Sequence, residues 1–160
     1  MSDTEYNRIV NQYADTIYRV ALSYSESSHD AEDVVQITFM KLLIKMPTFQ
    51  DEEHLRKWLI RIAVNACKDL HRSFWRKNVD SLEHLQEEPE DVTKGYGELY
   101  EAVMKLAVKY RVVVHLFYYE GYSTKEIADL LHIGETAVRT RLVRARKQLK
   151  QMLKEEWQDE

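Results

Sequence analysis

The segment Gly134 to Leu149, GETAVRTRLVRARKQL, carries five basic residues and one acidic residue in a chain whose formal net charge is −4. Drawn as a helix, it places arginines, threonines and a valine opposite an apolar stripe. A guanidinium group can donate two hydrogen bonds to guanine or to phosphate, and valine can contact a thymine methyl group. A solvated helix face is the alternative, but no acid lies between Glu135 and Glu155, and solvated faces usually mix signs. The segment therefore favours nucleic-acid binding.

The two faces of this helix differ along its whole length. The residues expected to pack against their own domain are Val138, Leu142, Ala145, Leu149, Met152 and Leu153. The residues expected to face outward are Thr136, Arg139, Thr140, Val143, Arg144 and Lys147. A shorter helix precedes it, since Ser123 and Glu126 have the spacing of a capping box. A short helix, a turn of three residues and a long helix predict a helix-turn-helix.

A second basic block, residues 56–77, interleaves arginines and lysines with aromatic residues. Asn65, Asp69 and Arg72 fall on one helix face at spacings of four and three. Asparagine can read adenine, and aspartate can accept a hydrogen bond from cytosine or buttress an arginine. This block is a second candidate for contact with nucleic acid.

The elements that must position these side chains are helical. Only four glycines and two prolines occur in 160 residues, so the chain predicts an all-α fold. Apolar spacing and capping signals predict helices over residues 4–24, 28–46, 51–74, 98–107, 109–119, 123–131 and 135–155. Ser28 is the expected N-cap of the second helix, and Pro47 is expected to end it.

The third helix has an expected core stripe, with two aromatic residues beyond it. The stripe comprises Leu55, Trp58, Leu59, Ile62 and Ala66. Phe74 and Trp75 fit either a core position or a contact with nucleic acid, and the sequence leaves both open.

Charge divides the chain into blocks. Residues 56–78 and 134–154 each hold seven basic residues and one acidic residue, which gives each block a net charge of +6. Residues 79–101 hold one basic residue and eight acidic residues, a net charge of −7. Two cationic surfaces on an otherwise anionic protein are therefore expected. The segment 77–97 is acidic, contains Pro89, Gly95 and Gly97, and predicts a flexible linker between a domain at 1–76 and another at 98–156.

Several classes of protein are disfavoured. No apolar run is long enough to span a membrane and the N-terminus is acidic, so neither membrane insertion nor a signal peptide is expected. The lone cysteine, Cys67, excludes an internal disulfide and fits a reducing cytoplasm. A phosphate-binding glycine loop, a nucleophile elbow and a zinc motif are missing from the sequence. We therefore expect a cytoplasmic protein that is not an enzyme and has no catalytic residue, metal or cofactor.

The whole chain resembles a bacterial extracytoplasmic-function (ECF) RNA polymerase sigma factor, group 4 of the sigma-70 family. The likeness rests on residues 30–42 (DAEDVVQITFMKL), 58–72 (WLIRIAVNACKDLHR) and 109–150, in that order and spacing. It implies a sigma-2 helical bundle in 1–76, a linker, and a sigma-4 helix-turn-helix domain in 98–156. It also implies a factor that binds core polymerase, recognises the −35 and −10 promoter elements and helps to melt the −10 region.

The resemblance further implies roles for individual residues. Those for docking on the β′ clamp helices would be Asp30, Asp33, Val34, Gln36 and Phe39. The loop Pro47–His54 would capture a base flipped out of the −10 element. Unstacking that base costs a few kcal/mol, which binding in the loop would have to offset. The −10 residues would be Arg61, Asn65, Lys68, Asp69 and Arg72. The −35 residues would be Ser123, Thr124 and Lys125 on backbone phosphate, and Arg139, Thr140, Val143 and Arg144 as readers of the bases. Thr136 and Lys147, on the same outward face, would belong to the −35 contact as well.

The implied partners are core polymerase, including its β flap, promoter DNA and a membrane-anchored anti-sigma factor. The chain departs from the family pattern at three places. Ile37 stands where an acid is usual, Ala107 and Val108 replace a Leu-Pro pair so that a softer helix break is expected, and His132 replaces a turn glycine. Two alternatives are a plain helix-turn-helix regulator, which leaves the first basic block unexplained, and a helical enzyme.

Overall fold

A computed structural model describes residues 1–25, 27–80 and 97–158, with the side chains of 71, 73–80 and 156–158 left out. The regular secondary structure of the described residues is helical and comprises α1 (Asp3–Ser25), α2 (Ser28–Lys45), α3 (Glu52–Asp80), α4 (Glu98–Lys105), α5 (Val108–Val114), α6 (Thr124–Leu131) and α7 (Glu135–Gln158). The all-α prediction is confirmed. The chain divides into two compact units, Met1–Glu90 and Asp91–Glu160.

The first unit is a bundle in which α1, α2 and α3 all pack on one another. The apolar residues of α1 recur at helical spacing, so Ile9, Tyr13, Ile17 and Val20 fall on one face and are buried. The N-cap of α2 is Ser27, not Ser28, because the Ser27 hydroxyl accepts from the amide of Asp30 at 3.3 Å. Helix α2 ends in a left-handed C-cap just before the expected proline.

The buried face of helix α3 only partly matches the predicted stripe. Leu55, Leu59 and Ala66 are buried as expected, but Trp58 and Ile62 are only half-buried. Helix α3 lies against both α1 and α2 and so buries a wider face, which adds Ile60, Ala63, Val64 and Cys67. Burial raises the pKa of the Cys67 thiol to about 12, with the nearby Asp30 carboxylate adding to the shift. This thiol is therefore a packing group.

The third helix is longer than predicted. Helix α3 continues to Asp80, so residues 77–80 are helical. Residues 81–96 of the predicted linker lie outside the described residues, as do the side chains of Phe74 and Trp75. The two interpretations of these aromatic residues therefore stay as predictions.

In the second unit, α7 packs on α4, α5 and α6. A π-helical turn, His115–Tyr119, continues α5. The buried core of the second unit includes Val113, Leu116, Ile127 and Leu142, which come from α5, the π-helical turn, α6 and α7.

The break between α4 and α5 is sharp, contrary to the expectation of a softer one. Leu106 and Ala107 are extended, with ψ of 151° and 148°, although no proline is present. The buried side chain of Arg111 accounts for this, because its Nη1 donates to the carbonyls of Leu106 at 3.1 Å and Met104 at 3.4 Å. The guanidinium thus satisfies carbonyls that a continuous helix would have paired internally.

The helix-turn-helix forms as its capping signals predict. The Ser123 hydroxyl accepts from the Glu126 amide and the Glu126 carboxylate accepts from the Ser123 amide, which completes the capping box. His132 takes the left-handed conformation at φ 57° and ψ 46° that a turn glycine would otherwise supply. Within the described ranges, no helix is both long and apolar enough to cross a membrane.

Candidate nucleic-acid interface

The outward face of α7 is built as the helical wheel predicts. Val138, Leu142, Ala145 and Leu149 are buried, and Met152 and Leu153 are half-buried toward the end of the helix. The six side chains of the opposite face are all exposed: Thr136, Arg139, Thr140, Val143, Arg144 and Lys147. Val143 is 59% exposed although it is apolar, so this face offers a methyl contact among cations and hydroxyls.

Glu135 makes contacts that sequence reasoning missed, since it was treated only as the single acid of the segment. One of its carboxylate oxygens accepts from Arg139 Nη2 at 2.8 Å and from Thr124 Oγ1 at 2.9 Å. This oxygen joins the first turn of α7 to the first residue of α6 across the helix-turn-helix corner. The spacing of four residues between Glu135 and Arg139 was the available signal.

The N-terminus of α6 is only partly as expected. The Ser123 hydroxyl is occupied by the capping box and the Thr124 hydroxyl donates to Glu135, whereas Lys125 is exposed. A phosphate here would therefore meet the Lys125 ammonium and backbone amides of the first turn. The two hydroxyls are engaged in holding the corner.

Helix α3 presents the second candidate surface. Arg61, Asp69 and Arg72 are exposed, and Asn65 and Lys68 are half-buried on the same side. Asp69 pairs with Arg72 at 3.6 Å, which matches the buttressing alternative for this aspartate. Desolvation, and then the Arg72 guanidinium, lower the pKa of Lys68. The surface therefore holds cations close together beside one amide side chain.

The loop between α2 and α3 leads into the helix that bears this surface, and it carries an aromatic cluster. The Phe49 ring meets His54 edge-on at 5.4 Å and Trp58 at 5.7 Å between ring centroids. The Gln50 amide donates to His54 Nδ1 at 3.1 Å, and the His54 amide donates to Asp51 Oδ1 at 2.7 Å. Trp58, predicted as core, is thus half-exposed because it supports this loop.

A network of three side chains fixes the start of α3 to α1. Tyr13 donates to Glu52 Oε2 at 2.6 Å, and Arg8 pairs with Glu52 Oε1 at 3.0 Å. Desolvation, and then the Glu52 carboxylate, raise the pKa of Tyr13 to about 12. The hydrogen bond from Tyr13, and then that from Arg8, lower the pKa of Glu52. Beside this network, a cavity of about 530 Å³ lies between the loop and the N-terminal turns of α1.

Helix α2 corrects part of the predicted polymerase contact. Val34 and Phe39 are 1% and 4% exposed, so they pack the bundle core and present no surface to a partner. Asp30 and Asp33 are half-buried and Gln36 is exposed. Three exposed apolar residues that sequence reasoning missed continue the Gln36 face at helical spacing: Met40 at 59%, Leu43 at 53% and Ile44 at 72% exposed.

The second unit also carries an apolar groove of about 570 Å³. Its lining residues come from α4, α5, the π-helical turn and α7: Leu99, Val103, Val114, Tyr118, Tyr119, Arg146, Leu149, Lys150 and Leu153. Arg146 Nε donates to the Tyr118 hydroxyl at 2.6 Å, and the Tyr119 ring stacks on His115 at 5.4 Å. The buried His115 in turn contacts Glu120 at 3.1 Å, so buried side chains support the Tyr119 wall of the groove.

The described side chains form no candidate metal centre. Among them, no group of three or more His, Cys, Asp or Glu could hold a metal ion.

Two family matches cover most of the chain. Sigma-70 region 2 matches residues 9–77, which hold the aromatic loop and the α3 surface. Sigma-70, region 4 matches residues 96–149, which hold the helix-turn-helix.

Relatives and solved structures agree with these matches. The chain is 30% identical to the ECF RNA polymerase sigma factor SigM of Bacillus subtilis over 158 residues, covering 90% of this chain and 92% of the relative. It is 31% identical to SigL of Mycobacterium tuberculosis over 155 residues, covering 92% and 88%. The sigma factor RpoE of Bartonella quintana, crystallised with the anti-sigma factor NepR, aligns with a TM-score of 0.78 at 25% identity, covering 94% and 97%. The chain thus belongs to the ECF-type sigma factors of the sigma-70 family, and it is an alternative sigma factor that directs promoter-specific transcription initiation.

Proposed function

We propose that the exposed face of α7 reads the −35 element in the major groove. The observation that carries this is the continuous exposed row of Arg139, Thr140, Val143 and Arg144, with the apolar stripe of the same helix buried. Arginine can bind guanine through two hydrogen bonds, and Val143 can contact a thymine methyl group. Thr136, Lys147 and Lys125 contact backbone phosphate and set the register.

The α3 surface and its neighbouring loop bind the −10 element. Arg61, Lys68 and Arg72 attract phosphate, while Asn65 has the donor and acceptor needed to read a base. Asp69 orients Arg72, with which it pairs at 3.6 Å. The loop Pro47–His54 captures a flipped base. It leads into α3 and carries the half-buried ring of Phe49, which supports that role because unstacked bases stack on aromatic rings.

Two apolar surfaces serve assembly with core polymerase. On α2, Gln36 and Asp33 supply polar contacts to the β′ clamp helices, and Met40, Leu43 and Ile44 supply the apolar area. Val34 and Phe39 support this surface from within the bundle, since they are buried. In the second unit, the groove lined by Leu99, Tyr118 and Leu153 accepts an apolar segment of the β flap.

An anti-sigma factor, anchored in the membrane, holds this group 4 factor inactive in the cytoplasm. Support for the partner comes from the Bartonella RpoE structure, which contains an anti-sigma factor. The chain itself has no catalytic role, because phosphodiester synthesis belongs to the polymerase. A plain helix-turn-helix regulator, the first alternative that the sequence left open, would leave the α3 surface and the apolar α2 face without a function.

Run-off transcription tests this assignment. Purified protein is added to core polymerase on a template with a matched −35 and −10 pair, on the same template with either element scrambled, and without core. Specific transcripts that need both elements and both proteins are expected. No complex with core, together with tight promoter binding by the free chain, would instead identify a plain regulator.

Arg144→Ala should weaken −35-dependent initiation by about 1–3 kcal/mol, roughly 5- to 150-fold, if the side chain contacts a base. Arg144→Lys is the matched control, since it keeps the charge but loses the two-pronged geometry. Initiation is measured on promoters with each −35 base changed in turn. Loss of discrimination at one position in both variants supports a base contact. A uniform loss in Arg144→Ala with recovery in Arg144→Lys would show a phosphate contact, and no loss would refute the assignment.

A further inference from the structure

Glu135 is an acidic residue at the edge of a surface that otherwise favours phosphate. It is the first residue of α7, and its side chain is 39% exposed. A carboxylate there suits the helix dipole, but it also repels the DNA backbone that the neighbouring cations attract. The repulsion raises the question of what this side chain does for DNA recognition.

Its contacts give a specific answer. A single carboxylate oxygen, Oε1, accepts from Arg139 Nη2 at 2.8 Å and from Thr124 Oγ1 at 2.9 Å. Thr124 begins α6, and its backbone belongs to the first turn after the capping box. The oxygen is therefore fixed from one helix while it holds the guanidinium of the other. An ordinary solvent-exposed pair within one helix would lack this second anchor.

We propose that Glu135 is a positioning residue for −35 specificity and acts through Arg139. Held at one nitrogen, the Arg139 guanidinium keeps its remaining N–H groups in one direction, so less rotamer freedom is lost when it meets a base edge. The same carboxylate disfavours non-specific contacts by repelling phosphate. Both effects widen the gap between matched and unrelated DNA. The inference rests on the proposed −35 role of the α7 face.

The test is Glu135→Gln in reconstituted holoenzyme, with affinity measured on a matched promoter, on promoters with single −35 changes and on unrelated duplex, across a salt series. We expect affinity for unrelated DNA to rise by about 2- to 5-fold, since one repulsive charge is gone. We expect −35 discrimination to fall by about 5- to 10-fold, since Arg139 is no longer held. A positioning role thus predicts higher affinity for unrelated DNA together with lower −35 discrimination. A merely structural role would instead weaken binding to matched and to unrelated DNA alike.

Two further variants sharpen the result. Glu155→Gln removes the same charge from α7 at a site where the carboxylate bonds Gln151 at 3.0 Å, and it should leave discrimination unchanged. In an Arg139→Ala background, Glu135→Gln should cause no further loss of discrimination. An undiminished discrimination in Glu135→Gln, or an equal loss in both backgrounds, overturns the inference. If wild-type holoenzyme shows no −35 preference, or Arg139→Ala changes nothing, the proposed −35 role itself has failed.

Discussion

Met40→Glu is expected to lower the affinity for core RNA polymerase by at least about 100-fold, or about 2.7 kcal/mol. Met40 lies between Gln36 and Ile44 on the exposed face of α2 and is itself 59% exposed. A carboxylate placed in an apolar interface loses its water without gaining a partner, and this costs several kcal/mol. The bundle should stay folded, because the position is already open to solvent.

The measurement is equilibrium binding of labelled protein to core polymerase, with thermal unfolding of each variant as a check on folding. Val143→Glu is the matched control, because it makes the same kind of change at an apolar side chain that is 59% exposed on α7. It should keep core affinity and lose −35-dependent initiation. Unchanged core affinity in Met40→Glu would show that the α2 face is not the contact.

Arg111→Ala is expected to destabilise the second unit by roughly 3 kcal/mol. The side chain is 1% exposed and donates to the carbonyls of Met104 and Leu106. Its loss leaves a cavity and two buried acceptors without their charged donor. For a domain of this size, the change corresponds to a fall in melting temperature of more than about 10 °C. Because α7 belongs to this unit, −35-dependent initiation should fail at a lower temperature.

Differential scanning calorimetry of the full chain measures this effect. Arg111→Met keeps most of the apolar volume, so it should recover part of the loss and separate packing from hydrogen bonding. Lys109→Ala is the surface control, since Lys109 is exposed, and its effect should stay within about 0.5 kcal/mol. A second unit that melts at the wild-type temperature in Arg111→Ala would contradict the role given to this side chain.

Local signals in the sequence predicted the helix-turn-helix closely. The capping box of α6, the left-handed His132 and the two faces of α7 each depend on residues within a few positions of one another. A helix whose apolar residues fall on one side has only one way to face its domain. The exposed row from Thr136 to Lys147 therefore follows from helical spacing alone.

Helix α2 is the opposite case. Its second half, ITFMKLLIK, is apolar on more than one side, so periodicity alone cannot tell which side enters the core. The family resemblance implied a partner surface that included Val34 and Phe39, and the bundle buries both. It passed over Met40 and Ile44, which the bundle leaves exposed. The packing of α1 and α3 decides between these sides.

The sequence by itself determined the helical class, the two cationic blocks and the exposed face of α7, because composition, charge and helical spacing are local properties. The tertiary structure decided which groups meet from different segments. Glu135 joins Thr124 to Arg139, and Arg111 stabilises the break before α5. These contacts depend on how helices cross, which a linear pattern does not specify. Side-chain burial and hydrogen-bond partners are fixed only when the helices pack.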